Sequence, residues 1–106
     1  MPSEGRAYLR DIPPAAEGYC GHVYVIGFAD YVKIGWSENV ARRLFEIQKY
    51  APEELVLYKF IPANAETEGQ LHRRFSHLRL YGEWFALFGG LKDWIEGGCP
   101  MPVPCY

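Results

Sequence analysis

His22-Val23-Tyr24-Val25-Ile26-Gly27-Phe28 and, after a short interval, Tyr31-Val32-Lys33-Ile34-Gly35-Trp36 are the stretches that decide the fold. Both are rich in β-branched and aromatic residues, and the Gly27–Asp30 stretch between them supports a turn. The pair therefore reads as an antiparallel hairpin. A turn centred on Phe28-Ala29 predicts that Tyr24 pairs with Lys33, Val23 with Ile34 and His22 with Gly35. Side chains alternate along a strand, so His22, Tyr24 and Lys33 share one face. Val23, Val25, Val32 and Ile34 share the other. The apolar face is expected to pack inward, leaving the polar face open; a one-residue slip would undo that sorting.

Working outward, Ser37 is placed to cap a helix over 38–50, with Val40, Leu44 and Ile47 as its buried stripe. At about 100° per residue, Arg43 falls at the edge of that stripe and Arg42 further round. Pro52 closes the helix, and Glu54–Pro62 (ELVLYKFIP) supplies a third strand. Asn64 stands where a cap for the next helix belongs. Ala65–Leu78 then reads as an amphipathic helix whose inward stripe is Glu68, Leu71, His72, Phe75 and Leu78. Glu68 occupies a place in that stripe suited to leucine. A buried carboxylate needs a partner, a proton or a metal, because an uncompensated buried charge is prohibitively costly. Gly82–Leu87 (GEWFAL) follows, and a last helix is expected near Leu87–Ile95. Glu83 receives no role. The expected architecture is α+β: a small three-stranded antiparallel sheet flanked by helices.

The chain has 106 residues, enough for one core and too few for two. Residues 1–20, with Pro13-Pro14, read as an arm; residues 21–96 form the domain; residues 97–106 form a Pro-rich, extended tail. No apolar run reaches the length of a membrane span, and the first residues lack the apolar centre of a signal peptide. A soluble, cytoplasmic protein without membrane contact is expected. Three cysteines, an odd number, point to reduced thiols instead of a disulfide framework. The net charge of −2 argues against strong non-specific duplex affinity, which needs a basic footprint. A local patch exists nonetheless: His72–Arg79 (HRRFSHLR) holds three arginines, two histidines and no acid. Such a run is either a solvated helix face or a phosphate contact.

The ordered set HVYVI, YVKIG, ARRL, ETEGQLHRRF and GEWF resembles the GIY-YIG nuclease superfamily, above all a branch of small phage and bacterial proteins ending in LHxRF…GEWF. The likeness spans about Gly21 to Ile95. It implies a GIY-YIG-like fold and a metal-dependent endonuclease acting on DNA, with DNA favoured over RNA. It places the first motif on His22-Val23-Tyr24 and the second on Lys33-Ile34-Gly35, with Lys33 standing where other members have a tyrosine. The helical arginine falls on Arg43 and the metal-binding glutamate on Glu68, which would hold Mg²⁺ or Mn²⁺.

In the implied mechanism Tyr24 acts as general base or positions the water, and Lys33 opposite it favours the phenolate. Arg43 grips the non-bridging oxygens. The metal on Glu68 neutralises the leaving oxygen, and His22 and His72 assist proton transfer. Arg42, Arg73, Arg74 and Arg79 are the candidate nucleic-acid contacts. No helix-turn-helix, zinc finger or basic arm is visible, so sequence specificity is expected to be low unless a protein partner supplies it. Each residue also has an ordinary role: Tyr24 as packing, Lys33 as a solvated strand lysine, Glu68 as half of an ion pair. Two other functions therefore stay open, a catalytically silent nucleic-acid-binding module and a protein-interaction module on the same fold.

Overall fold

The computed structural model describes residues 18–100. Most of the N-terminal arm and the last six residues of the tail, Cys105 among them, lie outside them. The described chain runs β1 (Gly21–Phe28), β2 (Tyr31–Ser37), α1 (Val40–Gln48), β3 (Val56–Ala63), α2 (Ala65–Arg74), a 3-10 turn (Ser76–Leu78), β4 (Arg79–Tyr81), β5 (Trp84–Ala86) and α3 (Gly89–Glu96). The sheet has five strands in the order β3-β1-β2-β5-β4, with every neighbouring pair antiparallel. The α+β class stands, but the expected three strands become five. The two additional strands are three residues each and lie in the segment from Arg79 to Ala86. Strands that short carry too few alternations for periodicity to reveal them.

The β1–β2 hairpin forms in a register other than the one expected. Phe28 faces Tyr31 across a two-residue turn, so Tyr24 pairs with Gly35, Val25 with Ile34 and Ile26 with Lys33. The turn tolerates this because Ala29 adopts a left-handed conformation (φ 51°), the geometry that tight hairpins demand. A shift of two residues preserves the facing of every side chain. Tyr24 and Lys33 therefore still share a face, although they are no longer directly opposite.

Neither face of the hairpin is open. On one side Val23, Val25, Val32 and Ile34 pack with Leu71 of α2, Phe75 just after that helix, Phe85 of β5 and Leu91 and Trp94 of α3. On the other side Tyr24 and Ile26 pack with Val40 and Leu44 of α1. The arrangement is three layers, with α1 on one face and α2 and α3 on the other. That explains why the central strands are buried on both sides, and why His22 and Lys33 are only 3% and 8% exposed. Each fully buried Val or Ile contributes about 1.5–3 kcal/mol, so the hairpin anchors both clusters.

The helix boundaries follow local chemistry. α1 begins later than expected, with Asn39 as its cap: the Asn39 side-chain oxygen accepts from the Arg42 amide at 3.1 Å, while Ser37 Oγ accepts from the Asn39 amide. Asn64 precedes α2 without capping it; its side-chain oxygen accepts from the Cys20 amide, tying the entry of β1 to the end of β3. α2 stops at Arg74, and the chain tightens into the 3-10 turn before β4. After α3, Gly98 (φ 90°) and Cys99 (φ 55°) turn the chain back. Cys99 enters the core, and the Trp94 indole donates to the Pro100 carbonyl at 3.1 Å.

Candidate functional site

β2 has two kinds of edge. Through Tyr31–Lys33 it pairs with β5, and the Ile34 amide still donates to the Glu83 carbonyl at 3.2 Å. Beyond that point the ladder ends and α2 takes over. His72 Nε2–H donates to the Ile34 carbonyl at 2.8 Å, with its ring edge-on to Phe85. The backbone amide of Trp36 faces the Glu68 carboxyl and favours its ionised form. Side chains of α2 thus satisfy backbone groups that a longer β5 would otherwise take. This is why Glu68 occupies a stripe position: it reaches the sheet edge instead of the apolar core.

Glu68 arrives beside a second acid. Burial first, and then the neighbouring Glu83 carboxyl, push its pKa up to about 7; Lys33 and the Trp36 amide oppose that rise. Glu83 in turn holds the Lys33 ammonium at 2.9 Å, and Lys33 Nζ also lies 5.7 Å from the centre of the Trp84 ring. The turn between β4 and β5 positions Glu83. Gly82 there adopts φ 56°, and Arg79 Nε donates to the Gly82 carbonyl at 2.7 Å.

Tyr24 reaches the same place from β1. Its ring lies across Gly35, so tightly that a Cβ on Gly35 would overlap the phenol. Only glycine at position 35 leaves room for the ring to pass over β2. The hydroxyl is met by the Arg43 guanidinium from α1, and the field of Glu68 and Glu83 reaches it too. Burial pushes the Tyr24 pKa up to about 12, with Arg43 the main opposing influence. The same contact with Tyr24 raises the pKa of Arg43 further. Arg43 keeps about half its side chain exposed and touches Glu46 at 3.5 Å.

Tyr24, Lys33, Arg43 and Glu68, drawn from four elements, therefore meet at the end of the β2–β5 ladder. Glu83 joins them, although sequence reasoning assigned it nothing. The signal was present: an acid directly before a strand-forming Trp-Phe pair, at a turn glycine. The expected pairing of Lys33 with the Tyr24 phenol is corrected by the register shift. Lys33 faces Ile26 and spends its charge on Glu83, so the phenol is not drawn toward phenolate.

The other candidates are placed differently. His22 shares the face of Tyr24 but turns toward β3, its ring edge-on to Phe60 at 5.6 Å, and burial lowers its pKa. His72 adjoins the cluster but is held by Ile34. Arg42 is exposed and lies 3.5 Å from Glu46. Arg73 and Arg74 are exposed on the last turn of α2, in the layer opposite α1; Arg74 lies over the Phe75 ring. Arg73 folds back so that its guanidinium is 3.5 Å from the position of a Gly69 Cβ. Arg79 is engaged in the β4–β5 turn. The basic run thus divides between both sides of the site and does not form one patch.

Oxygen donors dominate the cluster, and hard divalent cations prefer them. Among the described residues no group of three or more His, Cys, Asp or Glu side chains is arranged to hold a metal. A cation here would rest on Glu68, with Glu83 adjacent, and draw its remaining ligands from water and phosphate. No helix among these residues is long and apolar enough to cross a membrane.

A three-layer domain with a cationic and carboxylate cluster at a sheet edge is the class these observations define. The chain belongs to the T5orf172 domain family, whose model matches residues 21–97. That family is a nuclease-like or DNA-binding one, which fits a nucleic-acid-related role loosely. The match corrects the expected membership of the GIY-YIG superfamily, since T5orf172 is a different family. The tripeptides behind that expectation are imperfect here, and an alternating Val/Ile hairpin is a feature that many small sheets share. No curated protein and no solved structure matches the chain.

Proposed function

We propose that the protein hydrolyses phosphodiester bonds in nucleic acid, DNA in preference to RNA, with low intrinsic sequence specificity. The observation that carries this is the convergence of Tyr24, Arg43, Lys33, Glu68 and Glu83 where the β2–β5 ladder ends.

Arg43, half exposed and in contact with the Tyr24 hydroxyl, presents a planar fork to the non-bridging oxygens of a phosphate. Its charge stabilises the negative charge that builds at phosphorus. Tyr24 stays neutral at physiological pH, because its pKa lies near 12, so it orients the attacking water by hydrogen bonding. Glu68 is the carboxylate that would hold Mg²⁺ or Mn²⁺, and Glu83 fixes both Glu68 and Lys33. When bound, the ion would supply neutralising charge at the leaving oxygen. Lys33, nearly buried and ion-paired, balances the two acids without competing for substrate.

A catalytically silent nucleic-acid-binding module is the second reading. One observation favours it: the phenol pKa is raised instead of lowered, which leaves the site without an evident strong base. Purified protein incubated with labelled DNA and Mg²⁺, Mn²⁺ or EDTA distinguishes the two. Hydrolysis predicts cleavage that EDTA abolishes and that Tyr24→Phe, Arg43→Ala and Glu68→Ala each reduce by roughly a hundredfold or more. Cleavage that survives all three substitutions refutes the assignment of the site, and binding without cleavage establishes the silent module.

A further inference from the structure

A cleft of about 920 Å³ opens directly from the polar cluster, between the end of α1 and the β4–β5 hairpin. Lys33 and Arg43 lie in its wall, so whatever enters passes the guanidinium that grips phosphate in the proposed reaction. Further out its lining is aromatic. Tyr31, Tyr81 and Tyr50 are 46%, 72% and 88% exposed, and Phe28 and Trp84 stand half-buried behind them. Phe28 holds Tyr31 and Trp84 in place, with ring centres 5.7 and 5.9 Å away. Lys33 in this wall is paired with Glu83, and Arg43 touches Glu46 while keeping about half its side chain exposed, so Arg43 and Lys49 supply the modest positive charge that an anion meets there. Large aromatic faces left in water beside a cationic track suit a ligand that has both flat apolar rings and phosphates.

The geometry points to unpaired nucleotides as the occupants of this cleft: the strand's phosphates run past Arg43 while its bases stack on Tyr31, Tyr50 and Tyr81. This rests on the phosphodiesterase proposal and names its substrate class as single-stranded or locally unpaired nucleic acid. A duplex keeps its base faces stacked on one another and cannot offer them to the tyrosines. Nor does a chain of net charge −2 carry the broad basic footprint on which duplex affinity depends. Base–aromatic stacking is indifferent to sequence, because every base has a π-face.

The test is fluorescence anisotropy of the full chain in EDTA with a labelled oligonucleotide in three forms: single-stranded, duplex, and single-stranded with abasic sites. The tyrosines are exposed, so alanine substitution leaves the core intact, and circular dichroism checks this. The single strand should bind roughly tenfold or more tightly than the duplex at equal salt. Tyr31→Ala with Tyr81→Ala should weaken single-strand binding by roughly tenfold or more and leave duplex binding unchanged. Abasic sites should reproduce that loss in the wild type. Duplex binding equal to or tighter than single-strand binding overturns the inference, as does an abasic strand that binds as well as the intact one. If either occurs while Arg43→Ala still abolishes cleavage, the hydrolytic proposal stands and stacking alone fails. Absence of both binding and cleavage defeats both, and a cleft that takes a proline-rich peptide and no oligonucleotide also defeats the inference.

Discussion

Adding one methyl group at Gly35 should push Tyr24 out of the site. An ideal Cβ there overlaps the hydroxyl and the ring carbons at the far end of the phenol, and these belong to a side chain only 1% exposed. Overpacking of this kind costs about 1–3 kcal/mol. Replacing glycine restricts the unfolded chain and returns about 0.4–1 kcal/mol. Gly35→Ala should therefore destabilise by about 1–2 kcal/mol and lower the melting temperature by several degrees. The decisive control is Tyr24→Leu, which removes the atoms that the new methyl meets. In that background Gly35→Ala should be neutral or slightly stabilising, giving a coupling of about 1–3 kcal/mol in a double-mutant cycle. Urea unfolding of the four proteins measures it. An equal cost of Gly35→Ala in both backgrounds would refute the packing of the phenol across β2.

Three further outcomes follow from the same geometry. Lys33→Met should cost less stability in denaturant melts than Glu83→Ala, because the first removes a nearly buried charge and the second leaves that charge without its partner. Gly69→Ala should stabilise by about 0.5–1 kcal/mol, since a Cβ there meets only the Arg73 guanidinium at ordinary contact distance and alanine is the better helix former; a loss of stability would show that the site needs that space. Stability should also fall as pH rises from about 4.5 to about 7. Glu68 keeps its proton in the folded state over that window and loses it when unfolded, so its contribution is complete below the lower value and gone above the upper one. Because Glu68 is partly exposed, the effect is on the order of 1 kcal/mol, and Glu68→Gln should remove it from a pH series of urea melts.

The sequence made the hairpin, the stripe of α1 and the oddity of Glu68 legible, because each rests on local alternation or helical spacing. Val40 and Leu44 are buried as their spacing requires, as are Leu71 of α2 and Phe75 at its C-terminal cap. The hairpin register was not legible, since it depends on a left-handed Ala29, a residue with no particular preference for that conformation. The fate of the polar face was also hidden: α1 covers it, and no periodicity within the strands announces a second layer. Glu83 escaped notice because its partners, Lys33 and Glu68, are remote in sequence and meet it only through the pairing of β5 with β2. Glu68 could be singled out from one helix alone, but its reason for being there needed the sheet edge.

The most direct measurement is a ¹³C NMR titration of the Glu68 carboxyl, assigned by comparison with Glu68→Gln, in the wild type and in Glu83→Gln without divalent cations. A midpoint near 7 in the wild type, moving toward the ordinary carboxylate range when Glu83 loses its charge, is the outcome expected if the two acids meet beside Tyr24 and Arg43. A midpoint already near 4.5, or one indifferent to Glu83, would show that these side chains do not share a pocket.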